Sequence, residues 1–471
     1  MAMMACNNTR PRKLSLPCRT RTFQALILST AVFLAASTAV VVGKEPQPPS
    51  SSGGGCHYRF ELTHVDANLN LTSDELMRRA YDRSRLRAAS LAAYSDGRHE
   101  GRVSIPDASY IITFYLGNQR PEDNISAVVD TGSDIFWTTE KECSRSKTRS
   151  MLPCCSPKCE QRASCGCGRS ELKAEAEKET KCTYAIIYGG NANDSTAGVM
   201  YEDKLTIVAV ASKAVPSSQS FKEVAIGCST SATLKFKDPS IKGVFGLGRS
   251  ATSLPRQLNF SKFSYCLSSY QEPDLPSYLL LTAAPDMATG AVGGGAAVAT
   301  TALQPNSDYK TLYFVHLQNI SIGGTRFPAV STKSGGNMFV DTGASFTRLE
   351  GTVFAKLVTE LDRIMKERKY VKEQPGRNNG QICYSPPSTA ADESSKLPDM
   401  VLHFADSANM VLPWDSYLWK TTSKLCLAIY KSNIKGGISV LGNFQMQNTH
   451  MLLDTGNEKL SFVRADCSKV I

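Results

Sequence analysis

The sequence predicts an all-β protein built from two similar lobes, and three observations indicate this architecture. Asp-Thr-Gly occurs at 130–132 and at 341–343, each time after a short apolar run and before small residues. An apolar-apolar-Gly strand follows each triplet after about one hundred residues, at 244–246 and at 440–442, and such a repeated layout indicates two related lobes. From residue 111 onward, short β-branched and aromatic stretches alternate with Gly, Pro, Asn and Ser, which is typical of a β-rich fold.

The first residues of the 471-residue chain have the features of a leader. Five basic residues precede an apolar run from Phe23 to Val42, and small residues lie near its end. This order predicts a secretory signal over residues 1–43. Because the run is long, an uncleaved signal anchor is the alternative, and only then would the protein be attached to a membrane.

A basic segment follows the leader. Thr72 and Glu75 have the spacing of a capping box, which predicts the start of a helix. The stretch after them contains five arginines: Arg78, Arg79, Arg83, Arg85 and Arg87. From the residues alone, this segment is a helix with a solvated, charged face.

The net charge of +10 is unevenly distributed. Residues 1–102 contain 14 Lys and Arg against 8 Asp and Glu, whereas the remainder contains 39 against 35. The folded part is therefore mildly basic and has no stripe of the kind that binds nucleic acid. We expect no nucleic-acid partner.

Cysteine usage indicates an oxidising compartment. Twelve of the fifteen cysteines lie after residue 102, and seven of them are clustered between residues 143 and 182. Zinc is the alternative for such a cluster, but no histidine lies among these seven and a secretory leader precedes them. We therefore predict disulfides, no metal site and no cofactor.

Glycosylation sequons agree with a secretory route. They occur at Asn70, Asn124, Asn193, Asn259 and Asn319. We expect the secretory pathway, with the extracellular space first and an endomembrane or vacuolar location as alternatives.

Two other segments have clear patterns. Residues 283–301 form a Gly/Ala tract with side chains too small to pack a core, which predicts a flexible surface loop near the junction of the lobes. Phe354, Leu357 and Leu361 recur at helical spacing and predict a core-packed helix from Thr352 to Arg368.

Asp130 and Asp341 are the candidate catalytic residues. Two carboxylates at close range share one proton, so that one can activate a water as base while the other polarises a peptide carbonyl. The third Asp-Thr-Gly, at Asp454, runs directly into a short alternating strand and has no lobe after it. It is interpreted as a hairpin turn.

The order of these motifs resembles that of pepsin-type aspartic endopeptidases, and most closely their atypical plant, nepenthesin-like branch. The resemblance covers residues 103 to the C-terminus and rests on the two triplets at 130 and 341, Trp137, Tyr188-Gly189, 244–250, 263–267, 426–429 and 440–445. It implies a bilobal pepsin-like fold with an active-site cleft between two pseudo-twofold-related β lobes. The lobes would span residues 103–282 and 302–471.

The resemblance also implies roles for individual residues. The threonines, Thr131 and Thr342, would lock the two turns to each other, and the glycines, Gly132 and Gly343, would leave room for that approach. Ser133 would donate a hydrogen bond to Asp130.

Further implied features lie around the site. Tyr188 and Gly189 would belong to a flap that closes over substrate. The implied disulfides join Cys266 to Cys467 and Cys383 to Cys426, whereas the pairings of the cysteine cluster stay unassigned. Residues 44–102 would be a propeptide that blocks the cleft until acid breaks its ion pairs.

Two positions depart from the family pattern. Ala344 stands where the second motif would match Ser133, so the second carboxylate has one donor fewer. We therefore expect a less acidic activity optimum than an Ala344→Ser variant would have. The stretch after Tyr188 is about two residues longer than usual and carries the Asn193 sequon, which affects how the flap closes.

These features predict a secreted plant aspartic endopeptidase, made as a zymogen and active on proteins or peptides. We expect a monomer that binds pepstatin-like inhibitors. The alternative is a catalytically silent relative that binds another protein, such as an inhibitor of glycan-degrading enzymes. Such relatives typically lose or alter one motif, whereas both are intact in this chain.

Overall fold

The computed structural model describes most of the chain after residue 56. The described residues are 57–95, 109–159, 181–187, 195–212, 215–232, 236, 238–282, 287, 297–374, 381–387 and 397–469. The predicted leader, the flap residues Tyr188 and Gly189, the Asn193 sequon and most of the 283–301 tract lie outside them. Among the described helices, none is both long enough and apolar enough to span a bilayer.

Strands predominate in both halves of the chain. Those of the first half are β1 (His57–His64), β2 (Tyr110–Leu116), β3 (Ile125–Asp130), β4 (Trp137–Thr139), β5 (Ser150–Met151), β6 (Thr183–Ile187), β7 (Ser195–Ser212), β8 (Val215–Ala232), β9 (Ile241–Gly246), β10 (Lys262–Cys266) and β11 (Ser277–Thr282). Those of the second half are β12 (Ala299–Ala302), β13 (Phe314–Val315), β14 (Leu317–Ile322), β15 (Thr325–Pro328), β16 (Met338–Asp341), β17 (Thr347–Leu349), β18 (Val371–Lys372), β19 (Cys383–Ser385), β20 (Met400–Phe404), β21 (Asn409–Leu412), β22 (Leu418–Lys420), β23 (Leu425–Leu427), β24 (Ile429–Lys431), β25 (Ser439–Gly442), β26 (Thr449–Asp454) and β27 (Lys459–Arg464).

Helices are fewer. The α-helices within the described ranges are α1 (Ser73–Ser95), α2 (Glu140–Arg145), α3 (Leu254–Gln257) and α4 (Gly351–Glu367). Helix α4 agrees within one residue with the predicted span, and Glu350 caps its start by accepting from the backbone nitrogens of Thr352 and Val353. The all-β, two-lobed architecture that the sequence predicts is confirmed.

The largest sheet joins the two halves of the chain. Its strand order is β12-β27-β26-β10-β11-β1-β2-β3-β9-β4-β8-β7-β5, and β6 pairs with β7. The second half adds three smaller sheets, in the orders β13-β16-β25-β17-β24, β15-β14-β20-β21 and β18-β19-β23-β22. Strands from one half therefore pair with strands from the other in the middle of the molecule.

The two Asp-Thr-Gly triplets occupy equivalent places in the two lobes. Strand β3 ends at Asp130 and runs parallel to β9, with Asp130 opposite Gly246. Strand β16 ends at Asp341 and runs parallel to β25, with Asp341 opposite Gly442. The repeat seen in the sequence is thus a repeated strand pair, because each apolar-apolar-Gly segment supports one Asp-bearing strand.

Other local predictions can be compared with the structure. Asp454 ends β26, which pairs in register with β27, so the third triplet is the hairpin turn that its context predicts. The prediction of a flexible loop over residues 283–301 is wrong at its C-terminal end. Residues 299–301 belong to β12 and pair with β27. Small side chains gave no sign of this pairing, because a ladder uses backbone groups that every such residue has.

The basic segment before the first lobe is an integral part of the fold. Its strand β1 lies between β11 and β2, with six paired positions to β11. Helix α1 then begins at the predicted capping box, where the Thr72 backbone nitrogen donates to Glu75 at 2.9 Å and the Glu75 nitrogen donates to Thr72 Oγ1 at 3.3 Å.

Disulfides hold distant parts of the chain. Cys266 is bonded to Cys467 across 201 residues, and Cys383 to Cys426 within the second lobe. Within the cysteine cluster, Cys159 is bonded to Cys182. Cys143 of the cluster is bonded to Cys228, which lies in β8.

Candidate active site

Asp130 and Asp341 lie buried at the centre of the molecule. Each side chain has no exposed surface. Each is held by the glycine two positions later, because the Gly132 and Gly343 nitrogens donate to Oδ1 of Asp130 and Asp341 respectively, both at 2.9 Å. The tight turn after each strand therefore fixes the carboxylate against its own backbone.

The threonines of the two triplets join the turns. Thr131 Oγ1 accepts from the Thr342 nitrogen and donates to the Val340 carbonyl, both at 3.0 Å. Thr342 Oγ1 accepts from the Thr131 nitrogen and donates to the Val129 carbonyl at the same distances. Four reciprocal hydrogen bonds with twofold symmetry thus hold the lobes together directly below the carboxylates.

Arg87, from helix α1, occupies the space between the two carboxylates. Its Nε donates to Asp341 Oδ2 at 2.9 Å, and its Nη2 donates to Asp341 Oδ1 at 2.8 Å. The same Nη2 also donates to Asp130 Oδ1 at 3.2 Å. One nitrogen atom therefore contacts both carboxylates, which shows how close together the fold brings them.

The glycine of the first triplet makes this approach feasible. A Cβ on Gly132 would lie 2.2 Å from Arg87 Nη2 and 2.9 Å from Asp341 Oδ1. Any larger residue would displace both the guanidinium and the opposite carboxylate. Glycine is therefore required at this position, because groups from three different segments approach one another closely there.

The electrostatic surroundings of Asp130 raise its pKa. Burial raises the pKa of Asp130 to about 7; the nearby Arg87 guanidinium acts in the opposite direction, and the Asp341 carboxylate raises this pKa further. Two carboxylates so close together retain one shared proton to higher pH than a single isolated carboxylate would. The site can therefore offer one carboxylate and one carboxylic acid together.

The supporting residues differ between the two motifs. Ser133 is buried beside Asp130 and helps to lower the pKa of that carboxyl, but within the described residues its hydroxyl has no hydrogen bond of standard geometry. The implied donation from Ser133 to Asp130 therefore stays a prediction. Ala344 packs in an apolar cluster with Leu312, Phe314 and Ile438, and its side chain has no donor for the Asp341 carboxylate.

Comparisons with known proteins agree with this geometry. Residues 110–281 match a family model described as xylanase inhibitor N-terminal, and residues 312–464 match one described as xylanase inhibitor C-terminal. Aspartic proteinase nepenthesin-1 of Nepenthes gracilis is 29% identical over 434 residues, which are 87% of this chain and 90% of the relative.

The chain belongs to the pepsin-type aspartic protease family, in its nepenthesin-like plant branch.

Solved structures of the same fold extend the comparison. The protein named edgp superposes with a TM-score of 0.62 at 18% identity, and covers 77% of this chain and 94% of its own. Conglutin gamma, a basic 7S globulin from lupine seeds, has a TM-score of 0.58 at 16% identity over 75% of this chain and 91% of its own. At such identities the likeness concerns the fold.

The position of Arg87 between the two carboxylates could not be predicted from the sequence motifs. Five arginines are candidates for ion pairs, and the motifs do not say which of them reaches the site. Arg79, Arg83 and Arg87 are spaced by four residues and so share one face of α1, whereas Arg78 and Arg85 are exposed. That spacing was the available signal.

The other two arginines on this face bind a buried carboxylate. Asp66 accepts from Arg79 Nε at 2.5 Å and lies 2.8 Å from Arg83 Nη1. His64 is buried next to them, and its Nδ1 accepts from the Asp66 nitrogen at 3.2 Å. The helix is thus fixed to the end of its own strand β1 by charge.

The start of α1 is attached to the second lobe. Ser73 donates to the Lys420 carbonyl and accepts from Trp419 Nε1 at 3.0 Å. Asp74 accepts from both the nitrogen and the hydroxyl of Thr422, at 2.9 and 2.6 Å. The basic segment consequently contacts both lobes and the two central carboxylates at once.

The remaining predicted site residues have mixed positions. Of the glycosylation candidates, Asn124 and Asn259 are exposed, and Asn319 is partly buried in β14.

Asp454 does not belong to the aspartate pair. Its carboxylate accepts from the Gly456 and Asn457 nitrogens and forms an ion pair with Lys262. Tyr188 and Gly189 lie outside the described residues, so their flap role stays a prediction.

Proposed function

We propose that this chain is the zymogen of an aspartic endopeptidase that hydrolyses peptide bonds in proteins. The observation that carries the proposal is the Asp130–Asp341 pair, held on symmetric turns and bridged by one guanidinium. When Arg87 leaves, a water molecule can occupy its place between the carboxylates. The ionised carboxylate would remove a proton from this water while the protonated one polarises the substrate carbonyl.

The zymogen part of the proposal rests on where residues 57–95 lie. A substrate cannot reach the two carboxylates while Arg87 is bonded to both. Acid weakens this block because protonating either carboxylate removes the charge that attracts the guanidinium. Displacement of α1 from the cleft, followed by cleavage of the segment, would then produce the active enzyme.

A secretory route is proposed with this function. The disulfide between Cys266 and Cys467 and the oxidised cysteine cluster would form and persist in an oxidising compartment. An acidic extracellular or vacuolar space would also supply the pH that activation requires. Pepstatin-like inhibitors are expected to bind, because they occupy the water position between two such aspartates.

A second candidate is a silent relative that binds another protein. It is favoured by the family models that match both halves, whose descriptions name xylanase inhibitors, and by the similarity to a seed globulin fold. The intact aspartate pair and the charged plug on it favour the peptidase. A protein without catalysis would have no need to neutralise two buried carboxylates with a separate segment.

Acid activation of the full-length protein tests the proposal. The purified chain is brought to a series of acidic pH values and incubated with a denatured protein substrate, with and without pepstatin. Asp130→Asn and Asp341→Asn should abolish cleavage, and Asp454→Asn is the matched control from the third triplet, which should retain it. Cleavage that survives either active-site substitution would remove the mechanism, and absence of cleavage by the wild type would favour the silent relative.

A further inference from the structure

A second arginine, Arg348, lies under helix α1 in the second lobe. It belongs to β17, seven residues after Asp341, and is only 8% exposed. Its guanidinium lies 5.7 Å from the ring centre of Tyr430, which is the neighbouring residue on the parallel strand β24. In turn, Tyr430 packs against Tyr81 of the helix, with ring centres 5.4 Å apart.

The acceptors of Arg348 are neutral. Its Nη1 donates to the Lys431 carbonyl and its Nη2 donates to the Ser84 carbonyl, both at 3.0 Å, with Ser84 Oγ at 3.4 Å. Within the described part of the chain, no carboxylate forms an ion pair with it. Burial lowers the pKa of Arg348 to about 10, and the Tyr430 and Tyr81 rings oppose this. At the acidic pH of the enzyme it is therefore a full cation.

The proposed activation would remove the acceptors of one of the two donating nitrogens of Arg348. Lys431 is part of the second lobe, but Ser84 is part of the segment that the proposed activation removes. After activation, Nη2 would lose both of its acceptors and Tyr430 would lose the ring that covers it. A substrate that covers the site again would desolvate a guanidinium that has no carboxylate partner, which is unfavourable, so this position is prepared for an anionic group from the next occupant of the cleft.

Helix α1 contacts Arg348 through Ser84 and the aspartate pair through Arg87, so its own spacing relates the two places. Ser84 precedes Arg87 by three residues, or about 4.5 Å of helix rise. A substrate in extended conformation advances about 3.3 Å per residue. The side chain that reaches Arg348 is therefore one or two residues from the bond between the aspartates.

We propose that Arg348 is a specificity-determining residue that binds the carboxylate of a substrate Asp or Glu one or two residues from the scissile bond. This inference rests on the proposed endopeptidase function. The planar guanidinium, which donates to the Lys431 carbonyl and lies over the Tyr430 ring, matches a carboxylate better than an amide of the same shape. A Glu substrate and its Gln counterpart should thus be distinguished by charge alone.

Paired peptides test the proposal on the acid-activated enzyme. A cleaved parent peptide carries Glu or Gln at each position within three residues of its scissile bond. We expect kcat/KM to favour Glu roughly tenfold at one position when the substrate carboxyl is ionised. This preference should disappear below the pKa of that carboxyl.

Arg348→Gln should bring the Glu-to-Gln ratio to about one, and Arg348→Lys should retain part of it, as expected for a charge at the same place. Arg326→Gln, at an exposed arginine of β15 in the same lobe, is the matched control and should keep the full ratio. Because each ratio is internal to one enzyme preparation, partial misfolding does not alter it. Equal cleavage of all pairs by the wild type would overturn this inference alone, and cleavage of none would overturn the proposed function with it.

Discussion

Arg87 and Asp341 form a two-point ion pair at the centre of the molecule, with Nε to Oδ2 at 2.9 Å and Nη2 to Oδ1 at 2.8 Å. The pair is completely buried and its members are 254 residues apart in sequence. Because Nη2 also contacts Asp130, the helix supplies the charge that the two carboxylates share.

Removing the Arg87 charge should make activation easier. In Arg87→Gln the helix loses its bonds to both carboxylates, so we expect the pH threshold of activation to move toward neutral. At a fixed pH the activation rate should rise on the order of tenfold, which corresponds to about 1.4 kcal/mol. The measurement is the appearance of the shortened chain and of fluorogenic peptide cleavage across a pH series. Arg85→Gln, at an exposed arginine two residues earlier, is the control; an equal shift in both variants would contradict the role of Arg87.

Thr342 should be important for stability because it joins the lobes. Thr342→Val keeps the shape but removes the acceptor of the Thr131 nitrogen and the donor to the Val129 carbonyl, and leaves two buried backbone groups unpaired. We expect a loss of about 2–4 kcal/mol in the free energy of unfolding. Urea unfolding measures this, with Thr455→Val of the third triplet as control. Thr455 is partly exposed and donates to the Ser261 carbonyl at a solvent-accessible position, so its substitution should cost less than about 1 kcal/mol.

Ala344→Ser should shift the activity optimum to more acidic pH. A serine hydroxyl at this position would give Asp341 the donor that the first motif has in Ser133, and a donor favours the ionised form of a carboxyl. A pH–rate profile of the activated wild type and variant measures the shift. An unchanged profile, or one displaced toward neutral pH, would show that the missing hydroxyl does not set the optimum.

His64 should make docking of the basic segment sensitive to acid. Burial lowers the pKa of His64 to about 3, the Arg83 charge lowers it further, and the Asp66 carboxylate opposes this. Because this pKa is below the ordinary value of 6.5, the stabilisation is present above about pH 6.5 and is lost progressively as the pH falls toward 3. Tyr110 and Tyr270 pack on the ring and add no charge at these pH values.

His64→Gln tests this dependence. The side chain can still accept a hydrogen bond but cannot take up a proton, so activation should require a lower pH and respond to pH less steeply. His403→Gln, in β20 of the second lobe, is the control and should activate as the wild type does. If the two variants have the same threshold, His64 has no part in the acid response.

Much of the site was accessible from local sequence. Asp130 and Asp341 were recognisable because each lies on a strand, turn and downstream strand with the same spacing. Asp454 could be set apart because its triplet runs into a hairpin, and the structure has that hairpin. By contrast, the sequence predicts a loop at residues 299–301. Their pairing with β27 could not be foreseen, because it depends on a strand that comes about 160 residues later.

The sequence by itself determined the all-β class, the two repeated Asp turns, the helix Gly351–Glu367 and the basic helix after Thr72, because each depends on residues near one another in the chain. Only the tertiary structure decided that Arg87, and none of the other four arginines of the basic helix, reaches the carboxylates of Asp130 and Asp341. It also decided that Arg348 is covered by Ser84. The contacts of Arg87 with Asp341 and of Arg348 with Ser84 join segments more than 200 residues apart, and their geometry follows from how the strands of the two halves pair in one sheet.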